Sequence, residues 1–286
     1  MKTLKNHVIL YDAECPMCNL YTHAFTATGM LDQKGRAPYQ EVLAAPACPL
    51  IDRQRAVNEI ALVNTLTGEV QYGIESLFAV IANAFPFFRP LFSCRPFAQV
   101  MRRVYAFISY NRKVIIPPPR RAAGEARTGD CRPAAEAALA PSFSLRYRVA
   151  YLLFTWLVVG RILTAYAPLL KGMVPLGSAY REYLICGGQI FFQGLILSLY
   201  APAKRWDYLG NMMTISLGGA LLLMPALLAA KFFHLSALLF TLYFLAVAGL
   251  MFLEHMRRSR LLGLGWLPTV TWTLYRLALL GLIFAI

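Results

Sequence analysis

The chain has 286 residues, 58% of them hydrophobic, and a mean hydropathy of +0.52, which excludes an ordinary soluble globular protein. The apolar excess lies almost wholly after residue 148, and six cysteines (15, 18, 48, 94, 131 and 186), scattered apart from one close pair, exclude a disulfide-stapled secreted module. The net charge of +14, beside so much apolar sequence, points to membrane topology and anionic lipid rather than to nucleic acid.

Met1 to Asn6 is polar and the apolar run after it ends at Asp12, so no secretory signal is read there and the N-terminal part is expected to stay where it is made. Residues 7–11 read as a buried strand. Residues 15–28 read as an amphipathic helix with Leu20, Ala24 and Ala27 on one face and Gly29 as its stop. Between strand and helix stand Asp12 and Glu14, and then Cys15-Pro16-Met17-Cys18. A thiol at the first turn of a helix faces unpaired backbone N–H groups and the positive end of the helix dipole, which favour thiolate over thiol. Cys15 is therefore the expected nucleophile. Cys18, one turn along, is within reach of a disulfide with Cys15 and can resolve a mixed disulfide. Pro16 suits the first turn, where its missing N–H costs nothing.

Further on, Arg36 to Gln40 reads as a second strand, 44–50 as a loop and 51–58 as a short helix. Residues 59–64, Thr65-Leu66-Thr67-Gly68 and 69–73 read as two strands joined by a glycine-containing turn, and a helix follows from Glu75 to Ala84. The order strand, helix, strand, helix, strand, strand, helix, with a cysteine pair after the first strand, is thioredoxin-like. The expectation is an α/β thioredoxin-like N-terminal domain over residues 1–115.

The same stretch resembles the DCC-type thiol-disulfide oxidoreductases. The resemblance is carried by Tyr11-Asp12-Ala13-Glu14-Cys15-Pro16-Met17-Cys18, where the family usually has Tyr-Asp-Gly-x-Cys-x-x-Cys, and by the strand-turn-strand 60–72. Gly73-Ile74-Glu75-Ser76-Leu77-Phe78 and Val104-Tyr105-Ala106-Phe107-Ile108-Ser109-Tyr110-Asn111-Arg112 fit the later small-residue helix start and closing Tyr…Asn-Arg, so the likeness spans roughly residues 7–113. It implies a thioredoxin-like fold and thiol-disulfide exchange. The chain departs from it in two places. Ala13 stands where glycine is usual, and no proline precedes the strand at Glu59, where thioredoxins carry the cis-proline that lines the substrate groove. The family often has a cysteine shortly after its Asn-Arg, which makes Cys131 a candidate second shuttle thiol.

Around the pair, a buried carboxylate of Asp12 or Glu14 can relay protons from Cys18, although solvated strand-end charge explains both residues equally well. Arg112 is a candidate partner for one of these acids, with a surface position as the alternative. A Cys-x-x-Cys is also half of a zinc site. His23 and Cys48 are the available further ligands, but no second close pair exists, so zinc is not expected and the dithiol itself is the redox group. Cys94 and Cys186 read as small apolar side chains.

Residues 86–111 mix prolines, aromatics and Arg102-Arg103 and read as broken helices packed on the head or, less simply, as a surface resting on lipid. Residues 116–148, with Pro117-Pro118-Pro119 and an Ala/Gly/Glu-rich remainder, read as a linker. Residues 149–286 then carry apolar segments at about 149–169, 184–200, 208–230, 235–253 and 267–286. The expectation is an all-α transmembrane bundle of about five helices. Arg132, Arg146, Arg148, Lys204, Arg205, Arg257, Arg258 and Arg260 fall on the head's side, and Lys171, Arg181 and Lys231 on the other. That asymmetry predicts a multi-pass protein of the cell (inner) membrane with the head cytoplasmic and the C-terminus outside. Arg161 and Arg276 lie mid-segment, where arginine costs about 2.5–3.5 kcal/mol and should face the bundle. Gln189 and Gln193 lie one turn apart on one face. These four residues form a candidate intramembrane polar site for an anion, a lipid headgroup or a quinone oxygen, unless they are simply glue between helices.

The sequence as a whole predicts a membrane-anchored thiol-disulfide oxidoreductase acting on a protein or small-molecule thiol or disulfide, in the reducing direction in a cytoplasmic setting. Two alternatives remain at this point: a transporter or lipid-handling protein with a redox-sensing head, and a zinc-binding scaffold.

Overall fold

The computed structural model describes residues 1–42, 51–118 and 142–285. The chain divides into two compact units, Met1–Tyr147 and Arg148–Ile286. Most of the linker expected at 116–148, with Cys131 and Arg132, lies outside the described residues, as does Cys48.

The first unit is built on a small mixed sheet. β1 (His7–Tyr11) leads through Cys15 into α1 (Pro16–Ala27), and β2 (Arg36–Pro38) into the short α2 (Tyr39–Val42). α3 (Arg53–Asn58) precedes β3 (Ala61–Asn64) and β4 (Val70–Tyr72), and α4 (Ile74–Ala84) follows. The strand order is β2-β1-β3-β4, with β1 parallel to β2 (Leu10 opposite Ala37), antiparallel to β3 (Leu10 opposite Ala61), and β3 antiparallel to β4. The hairpin is set by Asn64, whose Oδ1 accepts from the N–H groups of Leu66 (2.9 Å) and Thr67 (3.3 Å), while Gly68 takes a left-handed φ of 75°.

Alternation along the strands loads both faces of the sheet. Ile9 and Leu62 point into a core with Leu31, Ile60 and Val80, to which α1 adds Tyr21 and Phe25. Leu10 and Ala61 point the other way, onto Tyr39, Ala56 and Val57. The face of α1 that packs is therefore not the one carrying Leu20, Ala24 and Ala27, which are all exposed; Leu20 is 70% exposed. Two small alanines fill little of the space over a sheet, whereas the rings of Tyr21 and Phe25, beside buried Cys18 and Thr22, fill it.

After a single 3-10 turn at Pro86–Phe88 come α5 (Arg89–Ser93) and α6 (Arg95–Ile115). The stretch read as broken helices is thus broken only before Arg95, because Pro96 occupies the first turn of α6. Phe78, Phe92 and Phe97 stack on one another, with Phe78 and Phe92 4.2 Å apart between ring centres. Cys94, expected to behave as an apolar side chain, is exposed at the start of α6.

The second unit is helical. α7 (Leu145–Tyr166), α8 (Arg181–Tyr200), α9 (Arg205–Phe232), α10 (Ala237–Leu261) and α11 (Leu267–Ala285) give five candidate spans, each long and apolar enough to cross a membrane. Their outward faces are strongly apolar: Leu184, Phe191 and Leu199 are each more than 70% exposed. Such a surface suits lipid and not water, and the chain is a multi-pass membrane protein. The inner faces meet around Val159, Cys186, Tyr208, Met212 and Trp272. Helices α9 and α10 pack along each other, and Pro225 lies inside α9. Beside it the Tyr243 hydroxyl, from α10, donates to the Leu222 carbonyl at 2.7 Å.

Arg148, one of the cations expected on the head's side, is buried in the first turns of α7, where it donates to the Trp206 carbonyl (3.0 Å) and pairs with Asp207 (3.3 Å). The fourth span does not stop at residue 253. Glu254 is paired with Arg257 and Arg258, both at 2.7 Å, so its charge is compensated and α10 runs on to Leu261.

Candidate functional site

The cysteine pair stands where the turn after β1 enters α1. Cys15 is the N-cap of α1, with extended backbone (φ −94°, ψ 108°), and Pro16 begins the helix. Both thiols are buried, with Cys15 4% and Cys18 3% exposed. Behind them Asp12 orders the turn: its carbonyl accepts from Cys15 N–H (3.1 Å), and its Oδ1 accepts from Glu14 N–H (3.0 Å) and from Gln40 Nε2 (2.8 Å). Its other oxygen, Oδ2, lies 3.4 Å from Arg112 Nη2.

Arg112 arrives from α6 and is buried. Nη2 also donates to the Val57 carbonyl (2.8 Å), and Nη1 to the Asn58 carbonyl (3.1 Å). These two carbonyls end α3, so the guanidinium ties α6, α3 and the β1 turn together. Two residues into the next segment, the Tyr105 hydroxyl accepts from Ile60 N–H (3.1 Å), which enters β3 without a preceding proline. All peptide bonds among the described residues are trans. Gly73 has φ 63°, and a Cβ there would press on the Glu59 carboxylate and the Tyr105 ring, so glycine is required at this point. Asn111, Arg112's neighbour in the Asn-Arg pair, is fully buried and donates to the Phe107 carbonyl (2.9 Å).

The electrostatics separate the two thiols. The Cys18 thiol is directed at the Cys15 sulfur, and with the Cys18 N–H and the Arg112 cation it outweighs burial, bringing Cys15 from 9.0 down to about 6. Cys18 is pushed upward by that same hydrogen bond and by burial, and holds its proton. Tyr21, packed beside Cys18, is pushed upward chiefly by desolvation. One sulfur is thus prepared as the nucleophile and its neighbour as the proton holder.

Of the residues singled out in the sequence, Cys15, Cys18, Pro16, Asp12 and Arg112 come together here, whereas Glu14 is exposed. His23 is exposed on α1, and no group of three or more His, Cys, Asp or Glu side chains gathers among the described residues.

The intramembrane candidates do not form one site. Arg161 is exposed on α7. Gln189 and Gln193 do not bond each other; Gln189 donates to the Trp272 carbonyl (3.5 Å) and Gln193 to Thr271 Oγ1 (3.1 Å), both on α11. Gln193 Oε1 also accepts from the Tyr208 hydroxyl (3.1 Å), which lies 3.0 Å from His255 Nε2; His255 Nδ1 lies 3.0 Å from Thr269 Oγ1. This buried network joins four helices, and sequence reasoning missed Tyr208 and His255. Arg276 stands apart from it, its guanidinium over the Trp272 ring at 4.7 Å.

Comparison of the chain with protein-family models, with curated proteins and with solved structures gave no match in any of the three.

Proposed function

We propose that this chain is a membrane-anchored thiol-disulfide oxidoreductase, with Cys15 the attacking thiolate and Cys18 the resolving thiol. The observation that carries the proposal is the acidified Cys15 at the N-cap of α1, hydrogen-bonded by Cys18 and backed by the buried Asp12–Arg112 pair. The strand order β2-β1-β3-β4, with helices over both faces, supports a thioredoxin-like reading of the head, and the DCC-type likeness rests on these same residues.

Cys15 thiolate attacks one sulfur of a partner disulfide, forming a mixed disulfide and expelling the other sulfur as thiolate. Cys18 then attacks Cys15 Sγ, closing the Cys15–Cys18 disulfide and releasing the second partner thiolate. Its proton passes to the departing sulfur, with the buried Asp12 carboxylate as the proposed relay. Two electrons leave the cysteine pair and enter the partner, and a second thiol partner returns the pair to the dithiol. The arginines at the helix ends on the head's side support a cytoplasmic head in the cell membrane, and in that compartment reduction of the partner is the working direction.

The test is reduction of a model disulfide by purified full-length protein. Cys15→Ser abolishes turnover. Full activity in that variant would overturn the assignment.

A further inference from the structure

We propose that Arg276 heads a binding site, inside the membrane unit, for the carboxylate of a single-chain acidic lipid such as a fatty acid. The inference is independent of the thiol chemistry. Arg276 sits near the middle of α11, a candidate membrane span, yet makes no hydrogen bond or ion pair among the described residues. Its Nε is buried without an acceptor. The indole of Trp272, one turn before it and 4% exposed, also buries its Nε1–H without an acceptor.

The side chains of both residues line one cavity of about 50 Å³, whose other walls include Val159, Leu163, Ser216 and Met251. Arg276, Leu163 and Phe244 also line a larger and more open cavity of about 140 Å³, which runs past Tyr166 and Ile185 to Arg181 and Glu182 at the start of α8. A narrow pocket lined by a cation and an indole therefore adjoins a wider, mostly apolar cavity that reaches the start of α8.

The charge balance selects the ligand. Glu182, the acid in this lining, is already paired with Arg181 at 2.8 Å. A guanidinium keeps its charge, and an uncompensated charge in an apolar interior is costly, so the site favours an anion over a neutral acceptor. A carboxylate brings two oxygens to the two unpaired donors, and it is small enough for the inner pocket. The apolar walls of the outer cavity suit a hydrocarbon chain rather than a hydrated ion.

The experiment measures binding of radiolabelled oleate to the full-length protein in nanodiscs of zwitterionic phosphatidylcholine. Saturable binding is expected that unlabelled oleate displaces and methyl oleate, which lacks the charge, does not. Arg276→Gln weakens binding about tenfold or more, and Arg276→Lys, which keeps the charge, loses less. Displacement by methyl oleate or by a short-chain quinone as effective as by oleate, or unchanged binding in Arg276→Gln, would overturn the proposal. Because the methyl oleate comparison uses the unaltered protein, it decides the question even where Arg276→Gln does not fold.

Discussion

Arg112 Nη2 lies 3.4 Å from Asp12 Oδ2, with both side chains 6% exposed, so residues 100 positions apart close a buried ion pair beside the Cys15–Cys18 turn. The pair is doubly useful to a thiol site. It holds the turn through Asp12 and contributes a positive field at both sulfurs through Arg112.

Removing the cation separates these roles. Arg112→Leu leaves the Asp12 carboxylate buried and unpaired, and breaking a buried pair in this way costs about 3–5 kcal/mol. Arg112→Lys keeps the charge but cannot reproduce the fork that serves Asp12, Val57 and Asn58, so it should fold with a smaller loss. Chemical denaturation checks the stability order. Alkylation of Cys15 by iodoacetamide should shift to higher pH in Arg112→Leu than in Arg112→Lys, a difference that a purely structural role would not produce.

The acidity of Cys15 gives a pH dependence with a definite sign. At a value of about 6, below the ordinary 9.0, the thiol of the reduced protein is about nine-tenths ionised at pH 7. Its alkylation rate should rise with a midpoint near pH 6. Cys18→Ala removes the donor and should move the midpoint upward. Because the folded value lies below the unfolded one, ionised Cys15 stabilises the reduced fold fully above pH 9. That contribution shrinks as pH falls and is gone below about pH 6. Denaturant midpoints of the reduced protein across this range should rise with pH relative to those of Cys15→Ser.

Resolution requires Cys18, so Cys18→Ser should stop the reaction at the first step. Partner molecules should then accumulate as mixed disulfides on Cys15, visible on non-reducing gels and absent from the double variant. A Cys18→Ser protein that turns over model disulfide at the normal rate would argue against the resolving role.

Tyr105 supplies the acceptor for Ile60 N–H at the entrance of β3. Tyr105→Phe leaves that donor without its partner, and the expected loss is about 1–3 kcal/mol. Thermal unfolding of the full chain should show the shift in the head's transition.

In the membrane unit the Tyr208 hydroxyl joins Gln193 to His255. Hydrogen bonds between membrane helices contribute about 0.6 kcal/mol on average, rarely above about 1.7. Tyr208→Phe, which breaks contacts to both neighbours, should therefore destabilise the bundle by about 1 kcal/mol. Unfolding in micelles, followed by circular dichroism, checks this.

What the sequence made legible was local. The strand at 7–11, Pro16 at the start of a helix, Gly29 at its end, the hairpin around Gly68 and five apolar spans all follow from signals contained within a few residues. The inward stripe of α1 was not legible, because which face packs depends on the sheet beneath it, and that sheet accepts Tyr21 and Phe25 while Leu20 stays outside. The Asp12–Arg112 pairing was one of two open readings, since only the fold brings α6 to the β1 turn. His255 escaped notice because Glu254 looks like the end of a span; its compensation by Arg257 and Arg258 is a property of the helix and not of hydropathy.

Pro225 has a mechanical consequence. It cannot supply the N–H that the Leu221 carbonyl would receive in an unbroken helix, so α9 is one hydrogen bond short at this point. The Tyr243 hydroxyl grips the adjacent Leu222 carbonyl from α10. A bend of α9 at the proline would therefore have to break that hydrogen bond or carry α10 with it.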